Sequence, residues 1–164
     1  MSAMPFDQAR EILTTLRSAN QTLATAESIT GGLLSGALTD IPGSSDVFLG
    51  GVIAYSPVIK SKLLGVDSAL IRAHGVVSKE VSLAMAAGAC SWLGSDWAIA
   101  TTGVAGPGDS DGVAAGTVWI AIVGRSGGSL TEFSEQLSLA GNRHEVRVSA
   151  IACAFDAFTR ILRG

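Results

Sequence analysis

TLATAESITGGLL, residues 22–34, joins a short apolar run to a second apolar run through a polar turn that contains two glycines. The first run, Thr22–Ala26, is predicted to be a short buried β-strand, strand one. After the turn, apolar residues recur at helical spacing: Leu33, Leu34, Ala37 and Leu38. This spacing predicts a helix that runs to about Asp40. A strand followed at once by a helix is typical of an α/β protein.

Apolar periodicity, prolines and glycines divide the rest of the chain into further elements. The predicted helices are Pro5–Asn20, Pro57–Leu64, Asp67–His74, Ser78–Trp92 and a closing helix, Asn142–Leu162. The predicted strands two to five are Phe48–Tyr55, Trp97–Thr102, Gly116–Val123 and Leu130–Leu137. A loop, Gly103–Ala115, separates strands three and four, and Gly124–Gly128 is predicted to be a hairpin turn. Gly88 is unfavourable within a helix and is therefore predicted to mark close packing.

These elements predict a three-layer α/β/α fold with a mixed five-stranded sheet. Right-handed crossovers and short connections place strand two beside strand one and strand three on the other side of strand one. Strands four and five then add as antiparallel neighbours, which gives the order 2-1-3-4-5 with strand four antiparallel to the rest. The chain of 164 residues has no internal repeat or linker, so residues 1–164 are predicted to form a single domain.

Charge and hydropathy exclude two classes of partner. The net charge is −3 and the 11 lysines and arginines are scattered, so no basic stripe is available to neutralise a nucleic-acid backbone. No apolar run approaches the roughly 18 residues that a membrane-spanning helix needs. Residues 1–7 lack a basic segment before an apolar core, so no signal peptide is expected. We therefore expect a cytoplasmic protein that binds neither nucleic acid nor a membrane.

The positions of the cysteines and histidines do not indicate metal or redox chemistry. Cys90 and Cys153 lie in alanine-rich helical segments and are interpreted as small buried apolar residues. His74 and His144 are isolated, without a neighbouring metal-binding motif. No metal site and no cofactor are predicted, and Mg²⁺ binding by carboxylates stays open as an alternative.

Ser28 lies between strand one and the helix that follows it, at the edge where ligands bind in open α/β sheets. Free N–H groups at the start of that helix are expected to stabilise an oxyanion when the serine attacks a carbonyl carbon. A serine nucleophile needs a base, and Lys60 is a candidate because Ser–Lys pairs are a variant of the catalytic triad. Lys62 on the same helix is its competitor. On local spacing alone, an N-cap serine and solvated lysines are the commoner alternatives.

The predicted topology brings Ser28, Tyr55 and Thr102–Gly103 to one rim of the sheet, which favours an active site there. Tyr55, the only tyrosine, either relays a proton, orients Lys60 or simply packs at the rim. The loop that begins with Thr102–Gly103 contains glycines, whose backbone N–H groups can approach an anion closely. Arg143 and Arg147, on the first turns of the closing helix, either hold a phosphate or carboxylate or are solvated.

The chain resembles the CinA C-terminal-domain family in a collinear series of motifs along nearly its whole length. These motifs are Ala26–Gly32, which is similar to the family signature AES-x-TGG, Pro42–Ser45, Tyr55–Ser56 with Lys60, Gly65–Val66, His74–Ser78, Thr102–Pro107, Gly116–Trp119 and Gly141–Arg143. The resemblance implies an enzyme that hydrolyses nicotinamide mononucleotide to nicotinate mononucleotide and ammonia, in pyridine-nucleotide salvage. It also implies a three-layer α/β/α fold and a homodimer or other homo-oligomer.

The same resemblance implies roles for individual residues. Ser28 would be the nucleophile and Lys60 the base, since the family's lysine follows its tyrosine by five residues, as Lys60 follows Tyr55. Tyr55 completes the expected catalytic set. The expected substrate-binding residues are Thr30, Gly31, Gly32, Thr102, Gly103, Gly106 and Arg143.

Two alternatives to this enzyme stay open. One is a non-catalytic interaction protein related to competence or DNA damage, and the other is an amidase that acts on another small amide. The intact set of Ser28, Tyr55 and Lys60 favours an enzyme, because a scaffold has no need of it. Longer family members carry a separate N-terminal domain with pyrophosphatase activity, which is not expected of these residues.

Overall fold

The computed structural model describes residues 5–164 and contains a five-stranded sheet with helices on both faces. The prediction about a signal peptide rests partly on residues 1–4, which lie outside the described residues. The elements in chain order are α1 Pro5–Ser18, β1 Leu23–Glu27, α2 Leu33–Thr39, β2 Phe48–Ile53, α3 Pro57–Leu64, α4 Ser68–His74, α5 Lys79–Leu93, β3 Trp97–Gly103, β4 Thr117–Ser126, β5 Ser129–Ser138 and α6 Arg143–Arg163. Within this part of the chain, no helix is both long and apolar enough to cross a membrane.

The sheet has the order β2-β1-β3-β4-β5, as predicted. Strand β1 is parallel to β2 and β3, and β4 is antiparallel to both β3 and β5, which confirms the mixed sheet. The predicted five-residue hairpin turn is wrong, because β4 and β5 continue to pair up to Ser126 and Ser129. Only Gly127 and Gly128 connect them, both with positive φ, and such two-residue turns match the twist of the paired strands.

The two faces of the sheet differ in the size of their side chains. Helices α1, α2 and α6 cover a face with large residues, among them Leu23, Ile99 and Ile120. Helices α3, α4 and α5 lie over the other face, where several positions are alanines: Ala24, Ala26, Ala98, Ala100 and Ala121. Small side chains allow α5 to approach the sheet closely. A Cβ at Gly88 of α5 would collide with the Leu64 carbonyl of α3, which confirms the predicted close packing.

The carboxyl ends of β1, β2 and β3 lie at one edge of the sheet because the three strands are parallel. The chain passes from β1 to β2 on one side of β1 and later returns to place β3 on its other side. Open α/β sheets bind ligands at such a switch point, beyond the strand ends. The fold therefore places the segments after Glu27, Ile53 and Gly103 around one potential site.

Candidate active site

A cavity of ≈ 450 Å³ opens at this edge of the sheet. Its walls include Ser28 after β1, Tyr55 and Lys60 around the start of α3, Thr102 at the end of β3, the loop 103–110, and Arg143 of α6. A volume of this size is typical of a small-molecule site. Segments that are distant in sequence thus meet in one concave surface.

Lys60 and Ser28 are in direct contact at the base of this cavity. The Nζ atom of Lys60 lies 2.9 Å from Oγ of Ser28, and the two residues are only 1% and 8% exposed. Helix α3 begins at Pro57, and the Ser56 hydroxyl accepts a hydrogen bond from the Ile59 N–H. Side chains of a helix tilt towards its N-terminus, so Lys60, one turn in, reaches back to the strand ends.

Lys62 takes no part in this contact. It lies two residues further along α3 and is exposed, because side chains two apart on a helix point in different directions. Burial therefore distinguishes the two candidate lysines.

The surroundings of Lys60 suit a base. Burial lowers the pKa of Lys60 from 10.5 to about 8. Its Nζ atom lies 2.7 Å from the Ala54 carbonyl oxygen and 3.5 Å from that of Tyr55. A neutral amine has two N–H bonds and one lone pair. With its N–H bonds directed to the two carbonyls, the lone pair is left to face the Ser28 hydroxyl.

Glu27 occupies the start of α2. This helix begins at Leu33 rather than directly after Ser28, and the fully buried Glu27 carboxylate accepts the N–H groups of Gly32, Leu34 and Ser35 at 2.9, 3.0 and 2.8 Å. The expectation that the N–H groups at this helix start are free is therefore wrong. Its physical reason is Glu27, whose capping role the sequence reasoning missed. The sequence feature that could have indicated this cap is a carboxylate at the end of a strand, followed by two glycines before a helix.

Ser28 does not cap α2 either. The N-cap residue of this helix is Gly32, and within residues 5–164 the only group in hydrogen-bond contact with Ser28 Oγ is Lys60 Nζ. The structure contradicts the N-cap alternative because a turn separates Ser28 from the helix. The Ser28 hydroxyl is thus available to react.

The turn after Ser28 supplies two unused donors. It is closed by a hydrogen bond of 3.2 Å from the Gly31 N–H to the Ser28 carbonyl. As at the start of a helix, the first N–H groups of such a turn have no acceptor within it. Among the residues that the structure describes, none accepts from the N–H groups of Ile29 and Thr30. Of the two residues, only Ile29 lines the cavity, so its N–H, immediately after the serine, is the candidate oxyanion donor.

Thr30, Gly31 and Gly32 do not line the cavity. The Thr30 hydroxyl is buried, donates to Glu27 Oε2 at 2.7 Å and lies 2.8 Å from Thr101 Oγ1. Gly31 and Gly32 have φ of +58° and +102°, values that favour glycine. In the structure these residues shape the turn that carries Ser28.

Arg143 and Tyr55 meet across the mouth of the cavity. Arg143 donates to the Gly106 carbonyl at 2.8 Å and to the Tyr55 hydroxyl at 3.1 Å. The Tyr55 hydroxyl therefore contacts Arg143, and only the Tyr55 carbonyl approaches Lys60. Arg143 stands at the start of α6, after the N-cap Asn142. Its guanidinium has five N–H donors, so donors remain for an anionic ligand.

Thr102 and Gly103 line the cavity from the end of β3. The Thr102 hydroxyl donates to the Val76 carbonyl at 2.8 Å, which ties β3 to the segment before α5. A Cβ at Gly103 would approach the Thr117 carbonyl oxygen to 2.7 Å, so the close approach of β4 requires glycine there. Of the predicted site residues, Ser28, Tyr55, Lys60, Thr102, Gly103, Gly106 and Arg143 lie together at the cavity.

Other reactive groups lie outside this cavity. Cys90 and Cys153 are free and half-buried, and burial raises the pKa of both thiols, so they stay protonated near neutral pH. His74 lies 3.5 Å from Glu80 on the surface, and His144 is exposed. In the range 5–164, no group of His, Cys, Asp and Glu is arranged to hold a metal ion.

Comparison with known proteins finds relatives of one kind. Residues 6–162 match the family model described as the CinA C-terminal domain. A CinA-like protein of Frankia casuarinae is 43% identical over 153 residues, which cover 93% of this chain and 34% of the relative. A CinA-like protein of Synechococcus sp. strain RCC307 is 57% identical over 125 residues, 76% of this chain and 30% of the relative. The chain thus spans about a third of the length of these curated relatives.

Two solved structures share this fold over nearly the whole chain. The competence/damage inducible protein CihA from Agrobacterium tumefaciens has a TM-score of 0.91 and 32% identity, covering 99% of this chain and 97% of that one. The competence damage-inducible protein A from Klebsiella pneumoniae also has a TM-score of 0.91 and 32% identity, covering 97% of each chain. The family model, the sequence relatives and the solved structures therefore all indicate the same family. The chain belongs to the CinA C-terminal domain family.

Proposed function

We propose that this protein is a Ser–Lys amidohydrolase that converts nicotinamide mononucleotide to nicotinate mononucleotide and ammonia. The observation that carries the proposal is the 2.9 Å contact between Ser28 Oγ and a buried Lys60 whose pKa is lowered to about 8. A purely structural lysine is rarely kept away from both water and a carboxylate, and within residues 5–164 Lys60 has no ion pair.

The first half of the proposed reaction forms an acyl-enzyme. Neutral Lys60 accepts the Ser28 hydroxyl proton while Oγ attacks the carboxamide carbon of the substrate. Negative charge then develops on the carboxamide oxygen, and the N–H group of Ile29 at the cavity wall is the donor available to stabilise it. Collapse of this intermediate breaks the C–N bond, and the Lys60 ammonium returns the proton to the departing nitrogen, which leaves as ammonia.

The second half releases the acid. Lys60, neutral again, takes a proton from a water molecule that attacks the ester carbon between Ser28 and the nicotinoyl group. The ester C–Oγ bond breaks, the proton passes from Lys60 to Ser28 Oγ, and nicotinate mononucleotide departs. One water is consumed and one ammonia is formed for each amide.

The proposed pose places the carboxamide over Ser28 and the phosphate near Arg143. Arg143 lines the cavity and keeps unused N–H donors, which suit a phosphate. In the loop, the Val104 N–H is taken by the Thr117 carbonyl, so it is not a phosphate donor. The N–H groups of Gly106 and Gly108 have no acceptor among the described residues and are the loop donors that we assign to the phosphate.

Incubation of the purified protein with nicotinamide mononucleotide, nicotinamide riboside, nicotinamide, glutamine and asparagine, with an assay for ammonia, tests the function. Release from the mononucleotide, lost in Ser28→Ala, supports the proposal. Release only from another amide would identify an amidase of different specificity. No release from any of these amides would favour the non-catalytic interaction protein.

We also propose that the protein forms a homodimer or other homo-oligomer through the edge strand β2. Leu49, Ile53 and Val58 on or near this edge are 48%, 54% and 70% exposed. From Val47 to Ile59 the chain carries no charge, whereas the opposite edge strand β5 carries Glu132 and Glu135. Free sheet edges are normally protected by charge, so an uncharged one suits pairing with a second copy. Analytical ultracentrifugation measures the resulting mass.

A further inference from the structure

Arg147 of α6 binds the backbone of the turn that follows Ser28. Its Nε donates to the Ile29 carbonyl at 3.0 Å and its Nη2 to the Thr30 carbonyl at 3.0 Å, across more than a hundred residues of sequence. Arg147 is half-buried and is not part of the cavity wall. Its guanidinium therefore acts on the turn and not on a ligand in the cavity.

These two hydrogen bonds fix the orientation of two successive peptide groups. A trans peptide group is planar, with its N–H pointing opposite to its C=O. The carbonyl of Ile29 shares a peptide group with the N–H of Thr30, so holding this carbonyl also sets the direction of the Thr30 N–H. The carbonyl of Thr30 likewise shares a group with the Gly31 N–H, which closes the turn onto the Ser28 carbonyl. The Ser28 carbonyl in turn shares a peptide group with the Ile29 N–H, so this hydrogen bond also sets the direction of the Ile29 N–H.

The turn is built to receive this guanidinium. Gly31 has a φ of +58°, and a Cβ there would lie 3.2 Å from Arg147 Nη2, tighter than side chains usually pack. In the same turn, the Thr30 hydroxyl donates to Glu27 and lies against Thr101. Hydrogen bonds from the Thr30 side chain to Glu27 and from Arg147 to the carbonyls of Ile29 and Thr30 thus restrain the same turn.

The positive charge of Arg147 polarises the same peptide groups that its hydrogen bonds orient. A cation hydrogen-bonded to a carbonyl polarises that peptide group, and hydrogen bonds in a chain strengthen one another. Arg147 donates to the Thr30 carbonyl, and the Gly31 N–H of that peptide group donates to the Ser28 carbonyl. The Ile29 N–H, with no acceptor among the described residues, belongs to the Ser28 peptide group and is therefore at the end of this chain, at the cavity wall. A preorganised donor of this kind needs no reorganisation when negative charge develops nearby.

We propose that Arg147 is a positioning residue that, through the turn, holds the Ile29 N–H in place for the oxyanion formed during attack by Ser28. The inference rests on the proposed amide hydrolysis. Arg147 makes its contribution through the turn and touches neither the substrate nor the reacting atoms. Its loss should therefore lower kcat while leaving the affinity for the ground-state substrate nearly unchanged.

Steady-state kinetics of Arg147→Met and Arg147→Lys with nicotinamide mononucleotide test the proposal. Removal of one oxyanion donor costs about 10²–10³ in kcat, so we expect Arg147→Met to lose about 10²-fold in kcat, with KM changed by less than about threefold. A lysine ammonium is a point charge and cannot bridge the two carbonyls, so the kcat of Arg147→Lys should be only slightly higher than that of Arg147→Met. Arg160→Met, on the exposed side of the same helix, is the matched control and should retain the parent kcat and KM.

Chemical rescue separates positioning from mere folding. Millimolar methylguanidinium should restore part of the kcat of Arg147→Ala, whereas the same concentration of methylammonium should not. A parent-like kcat in folded Arg147→Met, or a loss confined to KM, would overturn the proposal. A loss of kcat that accompanies a loss of circular dichroism signal and is not rescued would overturn it too.

A fluorophosphonate probe keeps this test independent of the substrate assignment. Ser28 Oγ attacks phosphorus, its proton passes to Lys60, and the P–F bond breaks to release fluoride. Intact mass then gives the labelling rate, with Ser28→Ala as the unlabelled control. If the parent is labelled but leaves nicotinamide mononucleotide intact, only the substrate is wrong, and slower labelling of Arg147→Met still supports positioning. Equal labelling rates in parent and Arg147→Met would refute positioning, and absence of labelling in the parent would refute both proposals.

Discussion

Replacement of Lys60 by Met should remove a pH-dependent part of the stability of the protein. Lys60 is 1% exposed, and burial lowers its pKa from 10.5 to about 8. In the unfolded chain the amine is solvated and titrates near its ordinary value. Between pH 8 and pH 10.5 the unfolded chain therefore binds more protons at Lys60 than the folded protein does. The free energy of unfolding consequently rises with pH across this window.

The size of this effect follows from the two pKa values. One pKa unit corresponds to about 1.36 kcal/mol, so keeping the ammonium buried destabilises the folded protein by about 3 kcal/mol below pH 8 and by nothing above about pH 10.5. Met is uncharged and of similar length. It leaves the carbonyls of Ala54 and Tyr55 without a donor, which costs about 1–3 kcal/mol at every pH. The stability of Lys60→Met relative to the parent should therefore be about 3 kcal/mol higher at pH 7 than at pH 10.5.

Urea unfolding at several pH values between 7 and 10.5, followed by circular dichroism, measures this difference. Lys62→Met, an exposed neighbour on the same helix, is the matched control and should differ from the parent by an amount that does not change with pH. A Lys60→Met difference that stays constant within about 0.5 kcal/mol across this range would refute the reasoning. Lys60 would then titrate as in the unfolded chain and would not be neutral enough to act as a base.

Three kinetic predictions follow from the same site. Ser28→Ala should lower kcat by about 10³-fold or more with an unchanged unfolding curve, and activity within about tenfold of the parent would remove Ser28 from the mechanism. Lys60→Ala should lower kcat nearly as much as Ser28→Ala does, whereas Lys62→Ala should lower it only slightly. The kcat/KM of the parent should rise with pH through about 8 as Lys60 becomes neutral, and a flat pH profile would contradict its role as the base. Arg143→Ala should weaken kcat/KM for nicotinamide mononucleotide by roughly 10–100-fold more than for nicotinamide riboside, since the loss of a charge-assisted contact is worth about 1.5–3 kcal/mol. Equal losses with the two substrates would mean that Arg143 does not bind the phosphate.

Local sequence was sufficient to predict the elements and the order of the sheet. Apolar runs such as Thr22–Ala26 and Trp97–Thr102, bounded by polar turns, have few structural alternatives. Connection length and crossover handedness then leave few ways to arrange five strands, so the order 2-1-3-4-5 was predictable. The hairpin at Gly127 and Gly128 was predicted too long because glycine marks a turn without showing how far the strands pair before it.

The chemistry of the site depends on burial and long-range contacts, which spacing along the chain does not encode. Lys60 and Lys62 are similar as residues in a sequence, and only packing at the strand ends buries one and leaves the other in water. Glu27 likewise becomes a cap only because the tertiary fold directs its carboxylate to the start of α2.

The role of Arg147 was likewise not predictable from its position in the sequence. As a sequence position it is one of two arginines on the first turns of a helix, equally suited to a phosphate or to solvent. In the fold its guanidinium reaches the carbonyls of Ile29 and Thr30, while Arg143 one turn earlier faces the cavity. The sequence by itself determined which residues carry charge, hydroxyls and flexibility, because these are properties of single residues and their neighbours. The tertiary structure alone decided which groups are desolvated and which N–H groups stay free, because both depend on atoms from distant segments.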